Sequence, residues 1–212
     1  MAQPAVRERL RQLRREACRQ HLIEAAERVF ARSGYEETRM QDVAQEAGLA
    51  LATVYDLVPS KEQLYAEIFR LRGRALLERA LQAQAGARTA MDMLLGGIQG
   101  YVEFLCEHPD YLRIQLRERQ PWALAPRFTS EEQRRLWQEG INLTTSVFRA
   151  VLAEASLPEE DPETLARLMI AAHQVYLARW LEQGGQEPVA QLVQRMQRHV
   201  IRTLGVALPE GA

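Results

Sequence analysis

The sequence predicts an all-α protein, with an N-terminal three-helix head built around a helix-turn-helix and a longer helical body behind it. Three observations carry that reading. Apolar residues recur at helical spacing along most of the chain, and no stretch shows a convincing strand alternation. Glycines, prolines and capping residues fall between the periodic runs. Residues 38–64 place two short helical patterns on either side of a glycine corner. With 212 residues and 47% hydrophobic content the chain can bury a substantial core, as one domain or two.

The head follows in order. Leu22, Ile23, Ala25, Ala26, Val29 and Phe30 make the core stripe of a first helix, which Gly34 and Tyr35 end. Upstream, Leu10, Leu13 and Ala17 keep helical spacing, which favours an extension of this helix over a disordered tail or a strand-tracking arm. Met40, Val43, Ala44 and Ala47 give a second helix one buried face, and Gly48 supplies the backbone freedom for its sharp stop. Leu49 continues the seam, and Val54 and Leu57 face inward on a third helix, leaving Thr53, Tyr55 and Asp56 elsewhere. Pro59 and Ser60 close it, with Ser60 placed to cap the helix that opens at Lys61 and Glu62.

The body reads as long amphipathic helices. Glu62 to Ala85 is a connecting helix with Leu64, Ile68, Leu71 and Ala75 along one side. Thr89 to Glu107 follows and is broken at His108 and Pro109, after which Tyr111 to Arg119 makes a short helix. Gly96, Gly97 and Gly100 interrupt the longer of these, implying close approach of another helix, a bend, or room for a ligand. A loop holding Pro121 and Pro126 leads to Ser130, placed to cap a helix from Glu131 to Ala155 with acids in its first turn. Pro158 and Pro162 bracket the entry to Glu163–Glu182, and Gly184, Gly185 and Pro188 separate it from Val189–Leu204.

Charge and motif content narrow the function classes. The net charge is -1, yet Arg7, Arg9, Arg11, Arg14, Arg15 and Arg19 oppose only Glu8 and Glu16 in the first twenty residues, so basic charge is concentrated where phosphate attraction would need it. All basic residues but Lys61 are arginine, a composition bias in the first instance. No run has the length and apolarity of a membrane span, and the arginine-rich start does not read as a signal peptide, so a cytoplasmic location is expected. Cys18 and Cys106 are isolated and lack metal-ligand spacing. An enzyme would need a nucleophile elbow, a Walker lysine or paired histidines, and none occurs. His108-Pro109-Asp110 matches the tripeptide of J-domains without the preceding basic helix, and His21, His173 and His199 stand apart from other ligand types. No cofactor, metal or catalytic residue is therefore expected. A helical scaffold is the alternative class, but it leaves the Tyr55–Lys61 pattern without a purpose.

At residues 38–64, reading TRMQDVAQEAGLALATVYDLVPSKEQL, and in the helix before them, the chain resembles the tetracycline-repressor (TetR) family of transcriptional regulators. The resemblance spans roughly residues 19 to 68. It implies a DNA-binding domain over residues 1–62 and a helical effector-binding and dimerisation domain over 63–212. It also implies a homodimeric, ligand-responsive regulator, a repressor on a palindromic double-stranded operator, released by a small-molecule effector. Ala50, Ala52, Leu57 and Val58 depart from the family's pattern, leaving few hydrogen-bonding groups on the third helix. Base reading then falls to Gln41 and Thr53, with Leu51 or Ala52 against thymine methyls, and phosphate contact to Lys61 and Tyr55 with help from Arg39.

Candidate effector contacts in the body are Tyr101, Phe104, Tyr111, Gln115, Trp122, Trp137, Asn142, His173 and Tyr176, with Met91, Leu95, Phe128 and Gln174 beside them. Plain core packing accounts equally for the aromatics. Arg113, Arg117 and Arg119 suit an acidic effector or simple solvation. The dimer interface implied by the resemblance falls on the last two helices, at Leu165, Met169, Ala172 and Tyr176 and at Leu192, Met196 and Val200, residues that an ordinary intrachain core would also use.

Overall fold

A computed structural model describes residues 3–117, 131–155 and 160–205. Among the described residues there are nine helices and no strand: α1 (Gln3–Ser33), α2 (Met40–Ala47), α3 (Leu51–Leu57), α4 (Lys61–Gln82), α5 (Ala90–Glu107), α6 (Pro109–Arg117), α7 (Glu131–Ala155), α8 (Pro162–Glu182) and α9 (Val189–Thr203). Trp122, Phe128 and the Ser130 cap lie outside the described residues, as do Arg119, Pro121, Pro126 and Pro158.

Local chemistry explains the head. Gly34 ends α1 with φ +83 and donates its N–H to the Phe30 carbonyl at 2.8 Å, a left-handed stop that suits glycine. Gly48 does the same for α2 at φ +64, and the Leu49 N–H reaches the Ala44 carbonyl at 2.9 Å. The Ser60 hydroxyl accepts the Gln63 N–H at 3.2 Å and starts α4. Leu22, Ala25, Val29, Phe30, Val43 and Val54 are buried together and fix the three-helix corner. The helical continuation upstream of Cys18 is present, since α1 runs back to Gln3, with Val6, Leu10 and Leu13 exposed along it.

The head is joined to the body through shared helices rather than a linker, because α4 starts beside the head and runs on for 22 residues. A file of ring contacts follows it: Phe30 against Tyr65 at 4.9 Å, Tyr65 against Phe69 at 5.0 Å, and Phe69 against Tyr111 of α6 at 5.7 Å. Beneath it Arg72 donates to Glu27 at 2.8 Å, a nearly buried ion pair between α4 and α1. Helix α6 also packs on α1, where Arg117 donates to the Arg32 carbonyl at 2.7 Å.

In the body α5 lies against α4, α7 and α9, and α7 lies against α4 and α8. Gly96 and Gly100 of α5 serve close approach, one of the three alternatives left open above, while Gly97 borders the cavity described below. A Cβ at Gly96 would meet the Ala83 carbonyl, and one at Gly100 would sit 2.7 Å from the Arg79 oxygen and 2.9 Å from the Ala83 Cβ. Two boundaries move from their sequence positions. Helix α6 begins at Pro109 rather than Tyr111, because a proline in the first turn gives up an N–H that has no helical partner anyway. Helix α4 ends at Gln82, where the chain turns towards Thr89, whose hydroxyl accepts the Asp92 N–H at 3.0 Å while Asp92 accepts the Thr89 N–H at 3.1 Å.

Candidate nucleic-acid interface and internal cavity

The outer surface of the head is set by which face of α3 is buried. Val54 is fully enclosed, and Leu51 and Leu57 pack partly against the core. Ala52, Tyr55 and Asp56 are left exposed, with 45% of Tyr55 accessible. Thr53 is half-buried. Arg39 and Gln41, at the start of α2, are also exposed, and the Arg39 N–H is held by the Asp42 carboxylate at 3.0 Å. Of the two apolar candidates for thymine contact, Ala52 is therefore the outward one. Arg15 of the extended α1 donates to the Asp56 carbonyl at 3.1 Å, which ties the arm to the end of α3. Arg28 and Arg32 are drawn to Glu46, and the Arg28 hydrogen bond chiefly holds that carboxyl below its ordinary range.

Lys61 has a different geometry from the phosphate contact expected of it. Its ammonium donates to the carbonyls of Tyr35 at 2.8 Å, Thr38 at 3.1 Å and Glu36 at 3.3 Å, and lies 4.5 Å from the Tyr35 ring centroid. An ammonium has three N–H donors, and three carbonyls take them. The reason is local. The segment between α1 and α2 turns sharply enough to converge its carbonyls, and Thr38 tightens the same turn by donating to the Gly34 carbonyl at 2.6 Å. Lys61 thus braces the corner from which Arg39 and Gln41 project.

Behind the head, α4, α5, α6, α7 and α8 line a partly open cavity of about 210 Å³. Its wall includes Tyr101, Tyr111, Gln115, Trp137 and His173 of the sequence candidates. The other candidates lie elsewhere. Asn142 is exposed on the outer side of α7, where it accepts a hydrogen bond from Gln138 at 2.9 Å. Phe104 is buried but spends its ring on His108, at 4.4 Å between centroids. Tyr176 packs on His199 at 5.7 Å and under the Arg195 guanidinium at 5.1 Å. Met91, Leu95 and Gln174 do not line the cavity either. Much of the wall is aliphatic and carries no mark of a site in the sequence: Leu76 and Leu77 of α4, Leu136 and Ile141 of α7, and Met169 and Ile170 of α8 among others.

No charged side chain belongs to that wall among the described residues. Burial pushes the His173 imidazole down to about 3, with His199 adding a smaller contribution, so the ring is neutral at ordinary pH. Desolvation raises the Tyr101 phenol, which stays protonated. The Cys106 thiol is pushed up to about 12 by burial, which keeps the reactive thiolate scarce.

The interface residues expected on the last two helices need correction. Leu192, Met196 and Val200 of α9 and Leu165 of α8 are buried within the chain, because α9 lays its apolar stripe on α5, where Gln197 also donates to the Leu95 carbonyl at 2.9 Å. Met169 faces the cavity. The outward apolar side chains of α8 are Leu168, 57% exposed, and Val175, 62% exposed, with half-buried Ala172 on the same face between them. Among the described residues no helix is long and apolar enough to cross a membrane.

Comparison with known proteins agrees with this geometry. Residues 22–68 match the family described as bacterial regulatory proteins, tetR family. The transcriptional repressor KstR2 of Mycobacterium tuberculosis is 26% identical over 174 residues, covering 79% of this chain and 82% of that protein. In structure, the fatty acid degradation regulator FadR of Bacillus halodurans matches with a TM-score of 0.77 at 16% identity, over 90% of this chain and 97% of that one. The transcriptional regulator FadR of Bacillus subtilis, solved with stearoyl-CoA, matches with a TM-score of 0.71 at 20% identity, over 86% and 97%.

Proposed function

We propose that the chain, whose residues 22–68 match the tetR family of bacterial regulatory proteins, acts as a homodimeric repressor, binding a palindromic operator and leaving it when a small molecule enters the body. The observation that carries this reading is the exposed face of α3, Ala52 and Tyr55, held out from a head whose corner is locked by Gly34, Gly48 and Lys61. A short helix fixed in this way suits the major groove, with its partner helix crossing the backbone. Gln41 and Thr53 read base edges, Ala52 meets thymine methyls, and Tyr55 and Arg39 hold phosphate, with Lys61 setting their position from behind. Leu168, Ala172 and Val175 form the centre of the face that a second protomer covers, which replaces the α9 residues in that role. A two-fold pair would set its reading helices roughly 34 to 36 Å apart, one turn of the duplex.

Two elements supply the coupling. Helix α4 opens at Lys61 in the head and carries Leu76, Leu77 and Ala80 into the cavity wall. Helix α6 contributes Tyr111 and Gln115 to that wall and grips α1 through Arg117. A ligand that prefers one setting of α4 and α6 moves the heads by as much as its affinity differs between the two settings. The Bacillus subtilis FadR, solved in complex with stearoyl-CoA, illustrates one molecule that this fold admits. Selection of bound fragments from random DNA by the full chain tests the reading. Enrichment of a palindrome is the expected outcome, and absence of any enriched sequence rejects it.

A further inference from the structure

Among the described residues Thr145 and His173 are the buried side chains left with an unpartnered polar atom, and of the two only His173 lines the cavity. It sits on the buried side of α8 with 2% of its surface accessible, lines the cavity, and lies 5.9 Å from the Tyr101 ring. Its Nε2 has no hydrogen-bond partner among the described residues. The neighbouring polar groups are different. Thr144 donates to the Gly140 carbonyl at 2.9 Å, and Tyr111, Gln115, Gln133 and Trp137 each have a partner of their own. A buried ring nitrogen without a partner costs stability, and a ligand group that met it would recover that cost.

We propose that the cavity receives a compact, uncharged, mainly apolar molecule whose hydroxyl or carbonyl group meets Nε2 of His173, and that this contact selects the ligand. The inference rests on reading the cavity as the effector site. Charge is opposed by the wall, whose described residues offer a carboxylate no cation in exchange for its lost hydration, while the imidazole itself is neutral. Size is limited by the volume, about 210 Å³, against about 150 Å³ for an engineered apolar cavity that takes benzene. One ring with a short chain fits such a space. Hydroxyls suit Nε2 in either tautomer of the ring, whereas carbonyls require the proton on that nitrogen.

Titration calorimetry of the full chain with 4-propylphenol, propylbenzene and 4-propylbenzoate tests the proposal. The phenol should bind roughly tenfold tighter than propylbenzene, the gain expected from satisfying one buried polar group, and the benzoate should not bind. His173→Phe should bring phenol and hydrocarbon to equal affinity, and His173→Asn should restore part of the preference, with cooperative thermal unfolding checked for both variants. The proposal is overturned if the benzoate binds as well as the phenol, if the preference survives in His173→Phe, if none of the three probes binds, or if stearoyl coenzyme A displaces 4-propylphenol. No DNA enters this titration, so failure of operator recognition and failure of the ligand assignment show up in separate experiments.

Discussion

Replacing Lys61 separates two roles that the sequence alone merges. In Lys61→Ala, the carbonyls of Tyr35, Thr38 and Glu36 lose a shared charged donor, and the Tyr35 ring loses the ammonium 4.5 Å from its centroid. The site is half-exposed and water can reach part of it, so the three hydrogen bonds together count for about one charge-assisted bond, roughly 1.5 kcal/mol. The ring contact adds about 0.5 kcal/mol. The sum, about 2 kcal/mol, corresponds to a melting temperature lower by about 4–8 °C in a chain of this size. Circular dichroism measures that shift, and a salt titration of operator binding measures the other role. An ammonium on phosphate contributes about 0.9 to the slope of log affinity against log salt. The brace predicts a lower melting temperature and weaker binding with the slope retained, and Lys61→Met, which keeps the stem, should behave like the alanine variant. An unchanged melting temperature with a slope reduced by about 0.9 would refute the brace and return Lys61 to the backbone of the DNA.

Other substitutions probe the frame. Gly100→Ala places a methyl 2.7 Å from a backbone oxygen of α4, so overpacking should outweigh the gain in helix propensity and lower stability by about 1–2 kcal/mol in thermal unfolding. Arg72→Ala strands Glu27, 4% exposed, at a cost of about 3 kcal/mol, measurable by urea unfolding. Its pH dependence has a definite sign. Burial raises the Glu27 carboxyl above the ordinary 4.5 despite Arg72, so the folded chain holds this proton more tightly than the unfolded one. The group's contribution is complete below 4.5 and is lost as pH rises through the raised value, and the Arg72→Ala penalty should be larger at pH 8 than at pH 5. Arg117→Ala removes the α6 grip on the Arg32 carbonyl, which should speed amide exchange at the end of α1 and leave α9 unchanged; equal exchange in both chains would show that α6 does not hold the head.

Much of the head is legible in the sequence because its chemistry is local. Gly48 needs only its neighbours to end α2, and Ser60 needs only the next turn to begin α4. What escapes is whatever depends on a partner from afar. The three carbonyls that occupy Lys61 lie more than twenty residues away, and lysine beside a reading helix looks like a phosphate ligand until they converge. The cavity wall escapes for the same reason, since Leu76, Leu136 and Ile141 carry no chemical mark that separates a binding surface from a core. Aromatic and polar residues do carry such a mark, yet Asn142 and Tyr176 lie off the cavity. The stripe of α9 fits its own chain as well as a partner's, whereas Leu168 and Val175 could be told from the core only once α8 had been packed on its neighbours.

The central claim is that two protomers grip one duplex at a separation fixed by the body. Sedimentation of the full chain with its selected operator, repeated after inserting five base pairs between the half-sites, tests this most directly, because that insertion turns one half-site by about half a helical turn. The account predicts two protomers on the parent duplex and loss of tight binding after the insertion, with Leu168→Arg/Val175→Arg giving a single protomer in solution. One protomer per duplex, or equal affinity for both spacings, would contradict it.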